Sequence, residues 1–295
     1  MTLFEAAAHL YCDGTDIRFY SGMRRPPDDG SGVMIDKDGV EGWLSSPPVK
    51  TSTTERAWGN GAHDVPEPDI TYSARTVTIH LDLIGTRRAT LLDLAARLNT
   101  MMGRQVSFRM IDEGQDTFAE GHLRSEYGAD WSRQVLSGTL TMVCPRPERL
   151  SWESTDVQLF PVSSTSGGLS YGSKGLGLAY PLSYGADAGS PQSVALLHNA
   201  GSAMAYPVIT VTGPMPDGVL LVGSDGRALQ WSGSVGRVPL VLNCRTQTAS
   251  MGGVDVSRLL TRRGFPAIPA MGSLSVQLMS PGSGWATVSV RDTYL

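Results

Sequence analysis

Residues 199–213 read NAGSAMAYPVITVTG. Asn199-Ala200-Gly201 has turn chemistry, because asparagine bonds its own backbone and glycine accepts positive φ. Small residues lead to Tyr206-Pro207. Val208-Ile209-Thr210-Val211-Thr212 then runs as five β-branched residues, the side chains that favour a strand. Gly213-Pro214 ends the run, since proline brings no N–H to a ladder. The phrase opens a β-domain and holds no catalytic chemistry.

Downstream of residue 192 the pattern repeats. Strand-like runs fall at 193–198, 207–212, 218–222, 228–232, 237–243, 254–260, 273–279 and 285–291. Pro216-Asp217-Gly218 and Ser224-Asp225-Gly226 between them read as hairpin turns. Short strands at this spacing predict a β-sandwich of jelly-roll or galectin type over 192–295.

Upstream, residues 151–191 are rich in Ser, Gly, Tyr and Pro and read as a connector. They contain a weak echo, Leu169-Ser-Tyr-Gly172 and Leu182-Ser-Tyr-Gly185. Cys144–Glu148 (CPRPE) breaks the preceding pattern, so residues 1–150 form the other domain. Two domains also suit a chain of 295 residues.

In that first domain, Asp16–Tyr20 reads as a strand and Arg24–Gly32 as a loop. Val33–Ile35, the turn Asp36-Lys-Asp-Gly39 and Val40–Leu44 read as a hairpin. Ser45–Ile70 carries four prolines and little periodicity. An excursion this long inside a compact domain is usually functional or meets a partner. Ala74–Ile84 alternates Val77, Ile79, Leu81 and Leu83 with polar residues, which predicts a half-buried strand. Thr86–Met102 is the helix, with Leu91, Leu94, Ala95, Leu98, Met101 and Met102 at helical spacing. Thr90 with Asp93 reads as its capping box and Gly103 as its C′ residue. Strands follow at 105–111, 118–127 and 135–143. The fold class is mainly β: a split barrel or sandwich with one α-helix, then a galectin-like sandwich.

Composition narrows the function. Gly (34) and Pro (18) exceed average usage and imply many turns. The net charge of −4 leaves no basic surplus to hold nucleic acid. Cys12, Cys144 and Cys244 are far apart and odd in number, so free thiols are expected rather than disulfides or a zinc site. The N-terminal residues lack a signal-peptide pattern and no run of 18 apolar residues occurs. A cytoplasmically made protein without membrane insertion is expected.

Candidate chemistry is sparse. Gly168-Leu-Ser170-Tyr-Gly172 matches a nucleophile elbow in letters. It lacks the strand before and the helix after that expose the serine, so Ser170 is not expected to be catalytic. His9, His63, His80, His122 and His198 are scattered, and His63-Asp64 reads as a loop pair rather than half of a site. Asp36-Lys-Asp38-Gly39 lacks the later oxygens of a calcium loop. No metal, cofactor or catalytic residue is expected. Trp58, flanked by Arg56 and Asn60, reads as an interface anchor, since Trp and Arg dominate interface hot spots.

Several phrases in order resemble the distal tail protein family of siphophages, in the minor-tail-protein form found in actinobacteriophages. They are Gly42-Trp43 with Pro47-Pro48 and Gly61-Ala-His63-Asp64; Arg75–Ile79 running to Ile84-Gly85; Gly177-Leu178-x-Tyr-Pro181; Asn199-x-Gly201 to Pro207-x-Ile209; and Val290–Leu295. Ile268-Pro-Ala-Met-Gly272 departs from the pattern, because the family often has Pro-Gly immediately before the strand. The resemblance implies a tail-tube-like first domain whose six copies close into a ring, and a galectin-like second domain. It implies a place in the virion at the distal end of the tail. The implied partners are the tail tube protein, the tape-measure end, the tail-associated tip protein and receptor-binding proteins, with DNA only passing through the lumen. Trp43, Arg56, Trp58, His63 and Asp64 are the expected inter-subunit residues. The alternative is a carbohydrate-binding sandwich using Tyr171, Tyr180, Tyr184 and Trp231 for host-wall recognition.

Overall fold

The computed structural model describes residues 7–22, 26, 29–66, 69–129, 131–132, 134–161 and 193–295. The chain divides into two compact units, Met1–Glu153 with Thr293–Leu295, and Ser154–Asp292.

The first unit contains β1 (Ala8–Cys12), β2 (Thr15–Tyr20), β3 (Gly32–Glu41), β4 (Arg75–Ile84), α1 (Arg88–Asn99), β5 (Val106–Asp112), β6 (Gln115–Tyr127), β7 (Val135–Cys144) and β8 (Arg149–Ser151). Strand order β6-β5-β1-β2-β3-β4-β7, with β7 pairing back onto β6, closes a seven-stranded barrel. All pairs are antiparallel except β2 with β3. The alternation read in β4 holds: Val77, Ile79, Leu81 and Leu83 are sealed in the barrel with Leu10, Phe19, Phe108 and Leu140. Leu91, Ala95 and Leu98 of α1 join that cluster.

Three local expectations change. β1 was not foreseen. It pairs with β2 across Asp13-Gly14, whose φ values of 44° and 80° are those of a tight hairpin turn. Residues 33–44 are not a hairpin, since Ile35 and Val40 both pair along β4, opposite Leu81 and Ile79. Asp36–Gly39 therefore bulges out of a single strand. In α1, Arg87 stands at the N-cap with no side-chain cap, and Thr90 and Asp93 fall inside the helix. The capping-box pattern was present, but the helix starts too early for it to cap. The helix also ends at Asn99, and the positive φ of Gly103 comes one turn later.

The second unit contains β9 (Thr155–Leu159), β10 (Val194–Asn199), β11 (Val208–Thr212), β12 (Val219–Gly223), β13 (Ala228–Trp231), β14 (Leu240–Asn243), β15 (Thr248–Met251), β16 (Val254–Asp255), β17 (Leu260–Arg263), β18 (Gly272–Leu278) and β19 (Trp285–Val290). They make a five-stranded sheet, β10-β18-β12-β13-β17, and a six-stranded sheet, β16-β15-β14-β11-β19-β9. Leu197, Ile209, Val211, Leu221, Leu242, Val276 and Val288 share one core. β11, the run first quoted, lies between β14 and β19 at the centre of its sheet. Its turn works as the residue types dictate. Asn199 is sealed, accepts from the Gly201 N–H at 3.0 Å, and donates to the Ala203 and Pro269 carbonyls at 2.7 and 3.0 Å.

Ser224-Asp225-Gly226 does turn β12 into β13. Pro216-Asp217-Gly218 does not form a hairpin, because β11 and β12 lie in different sheets. The run read at 254–260 is split into β16 and β17. Gly252-Gly253, both at positive φ, turn β15 onto β16. β9 lies within the stretch read as a connector. Residues 162–192, with Ser170, Tyr171, Tyr180 and Tyr184, lie outside the described residues. The chain returns to the first unit through β20 (Thr293–Tyr294), which pairs with β8.

Candidate interaction surface

The described part of the long excursion runs out and back as an arm, its two limbs joined by isolated bridges at Val49–Tyr72 and Glu55–Ala62. At its base the Ser73 N–H donates to the Pro48 carbonyl at 2.9 Å and the Lys50 N–H to Thr71 at 2.7 Å. Further out, His63 N–H donates to Thr54 at 2.9 Å and Arg56 N–H to Gly61 at 3.1 Å. Arg56 Nη2 also donates to Asp64 Oδ2 at 2.9 Å across the ribbon. Gly59 and Gly61 take φ of 97° and 79° around the tip, where Trp58 is 93% exposed. Every residue from 52 to 61 is exposed. An isolated two-stranded ribbon is marginal by itself, and this one buries no side chain of its own near the tip.

The root, in contrast, is fixed. Arg75, 1% exposed, donates from Nη1 to the carbonyls of Gly42 (2.5 Å), Trp43 (3.0 Å) and Ser45 (2.7 Å), and from Nε to Pro147 (2.7 Å). Gly42 sits at φ 77°, and a Cβ there would lie 2.2 Å from the Thr76 carbonyl oxygen. Burial, then repulsion from Arg149, lowers the Arg75 pKa.

Of the five residues expected at an interface, Arg56, Trp58, His63 and Asp64 share the outer arm. Trp43 does not join them. Its indole is 2% exposed and packs edge-on against Phe108 at 5.3 Å, because it fills the barrel beneath the arm's root. Trp231, expected to stack on sugar, is 3% exposed. It donates from its indole to the Val256 carbonyl inside the sandwich core, so it presents no face to a glycan. Trp131 carried no distinguishing context in the sequence. It is 85% exposed with the Arg88 guanidinium 4.4 Å above its ring. Arg88 is held by the Ser132 carbonyl at 2.7 Å.

Among the described residues no group of three or more His, Cys, Asp or Glu comes together, and no helix is long and apolar enough to cross a membrane. Cys12, Cys144 and Cys244 are free and buried. Burial pushes the Cys144 and Cys244 thiols up to about 11 and about 12. His63 and Asp64 do not pair with each other, since Asp64 is taken by Arg56.

No protein-family model and no curated protein sequence matches the chain. Among solved structures it is similar to the SPP1 Dit (gp 19.1) protein, described as a paradigm of the hub adsorption apparatus in phages infecting Gram-positive hosts. The identity is 13%, the coverage 98% of this chain and 99% of that one, and the TM-score 0.61. A chain of the phage P2 baseplate in its activated conformation with Ca aligns at 10% identity over 97% of this chain and 98% of that one, with a TM-score of 0.49. Over almost its whole length, this chain has the fold of a phage Dit protein.

Proposed function

We propose that the chain is a structural subunit of the distal tail of a long-tailed phage. Six copies would close into a ring that joins the tail tube to the host-adhesion apparatus. The whole-length likeness to SPP1 Dit supports this reading. The single observation that carries the ring is the arm. It is rooted by a buried arginine, crossed by a few backbone hydrogen bonds, and carries an exposed aromatic tip. A ring needs a heterologous contact, one surface on each copy that fits a different surface on the next. The arm supplies the first of these, and Trp58 with Arg56 gives it hot-spot chemistry.

Function on this reading lies in contacts to the next copy, the tail tube, the tape-measure end, the tip protein and receptor-binding proteins. The barrel unit is the acidic one, with sixteen Lys and Arg against twenty-two Asp and Glu in residues 1–153 and 293–295. Six such units discourage DNA from adhering while it passes. Native mass spectrometry and negative-stain images test the proposal. Six-fold rings, alone or in purified tails, are expected. A strictly monomeric protein missing from purified tails defeats it.

A further inference from the structure

Arg149 lines a pocket of about 530 Å³ in the first unit, beside Gln115, Asp116, Thr117, Glu153 and Tyr294. Arg149 is 6% exposed and packs over the ring of Trp43 at 5.6 Å. Its Nε is sealed without a hydrogen-bond partner, and no described residue forms an ion pair with it. Two nearby carboxylates are already paired. Asp116 is held in a two-pronged pair by Arg109, and Glu148 is bound to Arg146 at 3.1 Å. Arg75 carries a second orphan, its Nη2, and the two buried cations repel one another. Burial lowers the pKa of both. A buried cation left uncompensated is costly, and a hydrogen-bonded anion relieves that cost.

We propose that this pocket is a carboxylate socket, in which Arg149 takes one carboxylate supplied from outside the chain. The planar guanidinium fork matches a carboxylate in two parallel hydrogen bonds. Asp116 and Glu153 at the pocket wall disfavour a dianion such as phosphate. The carboxylate comes either from an acidic side chain of a neighbouring protein or from a small solute. The socket itself does not depend on ring formation.

The test is acetate titration of the full chain, followed by the NMR signal of the Arg149 Nε–H, with phosphate in parallel. A saturable shift is expected with acetate, with phosphate at least tenfold weaker. Arg149→Lys, which keeps charge and volume, should bind acetate at least tenfold more weakly while the far-UV circular dichroism stays unchanged. The same titration on assembled protein separates the two sources. Loss of the acetate response assigns the socket to a neighbour's side chain, and its persistence assigns it to a small solute. The proposal is overturned if acetate moves nothing in either form. It is equally overturned if a response appears only in Glu153→Gln, since the chain's own carboxylate would then fill the socket.

Discussion

The Nη1 of Arg75 lies 2.5 Å from the carbonyl oxygen of Gly42, at the point where the arm leaves the barrel. One sealed guanidinium thereby holds both a core strand and the root of an exposed ribbon. Arg75→Met removes four charge-assisted bonds and leaves the carbonyls of Gly42, Trp43, Ser45 and Pro147 short of a donor. Bonds to charged groups contribute about 1.5–3 kcal/mol each and are not additive. A loss of roughly 3 kcal/mol or more in urea unfolding is expected, and a loss under about 1 kcal/mol would refute the anchoring role.

Trp58 separates stability from assembly. At 93% exposure, Trp58→Ala should leave unfolding within about 0.5 kcal/mol of the parent. The same change should weaken subunit association at least tenfold by analytical ultracentrifugation. Unchanged association removes the arm tip from the interface.

Two glycines at similar φ provide a matched pair. Gly42 (φ 77°) has the Thr76 carbonyl oxygen 2.2 Å from where a Cβ would stand, whereas Gly114 (φ 86°) has nothing within 4 Å. Alanine at Gly114 adds only the left-handed backbone cost, about 1–2 kcal/mol. Alanine at Gly42 adds a clash with the backbone, so Gly42→Ala should be clearly the more destabilised in thermal melts. Equal losses would show that the root is free to shift.

The buried thiols give a pH signature. Cys144 and Cys244 are raised to about 11 and about 12, while an unfolded cysteine titrates near 8.5. A raised folded-state pKa contributes stability that is complete below the unfolded value and is lost as pH climbs toward the folded one. Unfolding free energy should therefore fall from about pH 8.5 toward 11. Ellman's reagent should leave both thiols unreacted at pH 7.5 until denaturant is added. A flat profile in the parent, or fast labelling of the native protein, contradicts this.

The parts of the fold legible in the sequence are those decided by local periodicity. β4 and β11 announced themselves because alternation and β-branching fix their faces regardless of neighbours. The Asp36–Gly39 bulge did not, because Asp-Gly supplies positive φ equally well to a hairpin or a bulge. The choice was made by β4, which pairs with both Ile35 and Val40. Pro216–Gly218 misled in the same way, since a turn does not say which sheet receives the next strand. At the interaction surface, Trp58 stood out from its exposed, proline-rich setting. Trp43 looked much the same in sequence, and only three-dimensional closure sent it inward. Arg149 gave no signal, because its isolation follows from carboxylates being claimed by Arg109 and Arg146.

Closing a barrel also has a price in time. The hairpins β1–β2 and β5–β6 form around local turns at Asp13-Gly14 and Glu113-Gly114. The seams instead join His9 to Arg109 and Arg75 to Cys144. Such distant pairings must overcome loop-closure entropy before their contacts reward it, so they form late. While the seam stands open, β1 and β7 expose unpaired backbone to any neighbouring chain, and unpaired edges invite aggregation. The lifetime of that half-closed sheet therefore bears on how many newly made chains reach the closed barrel.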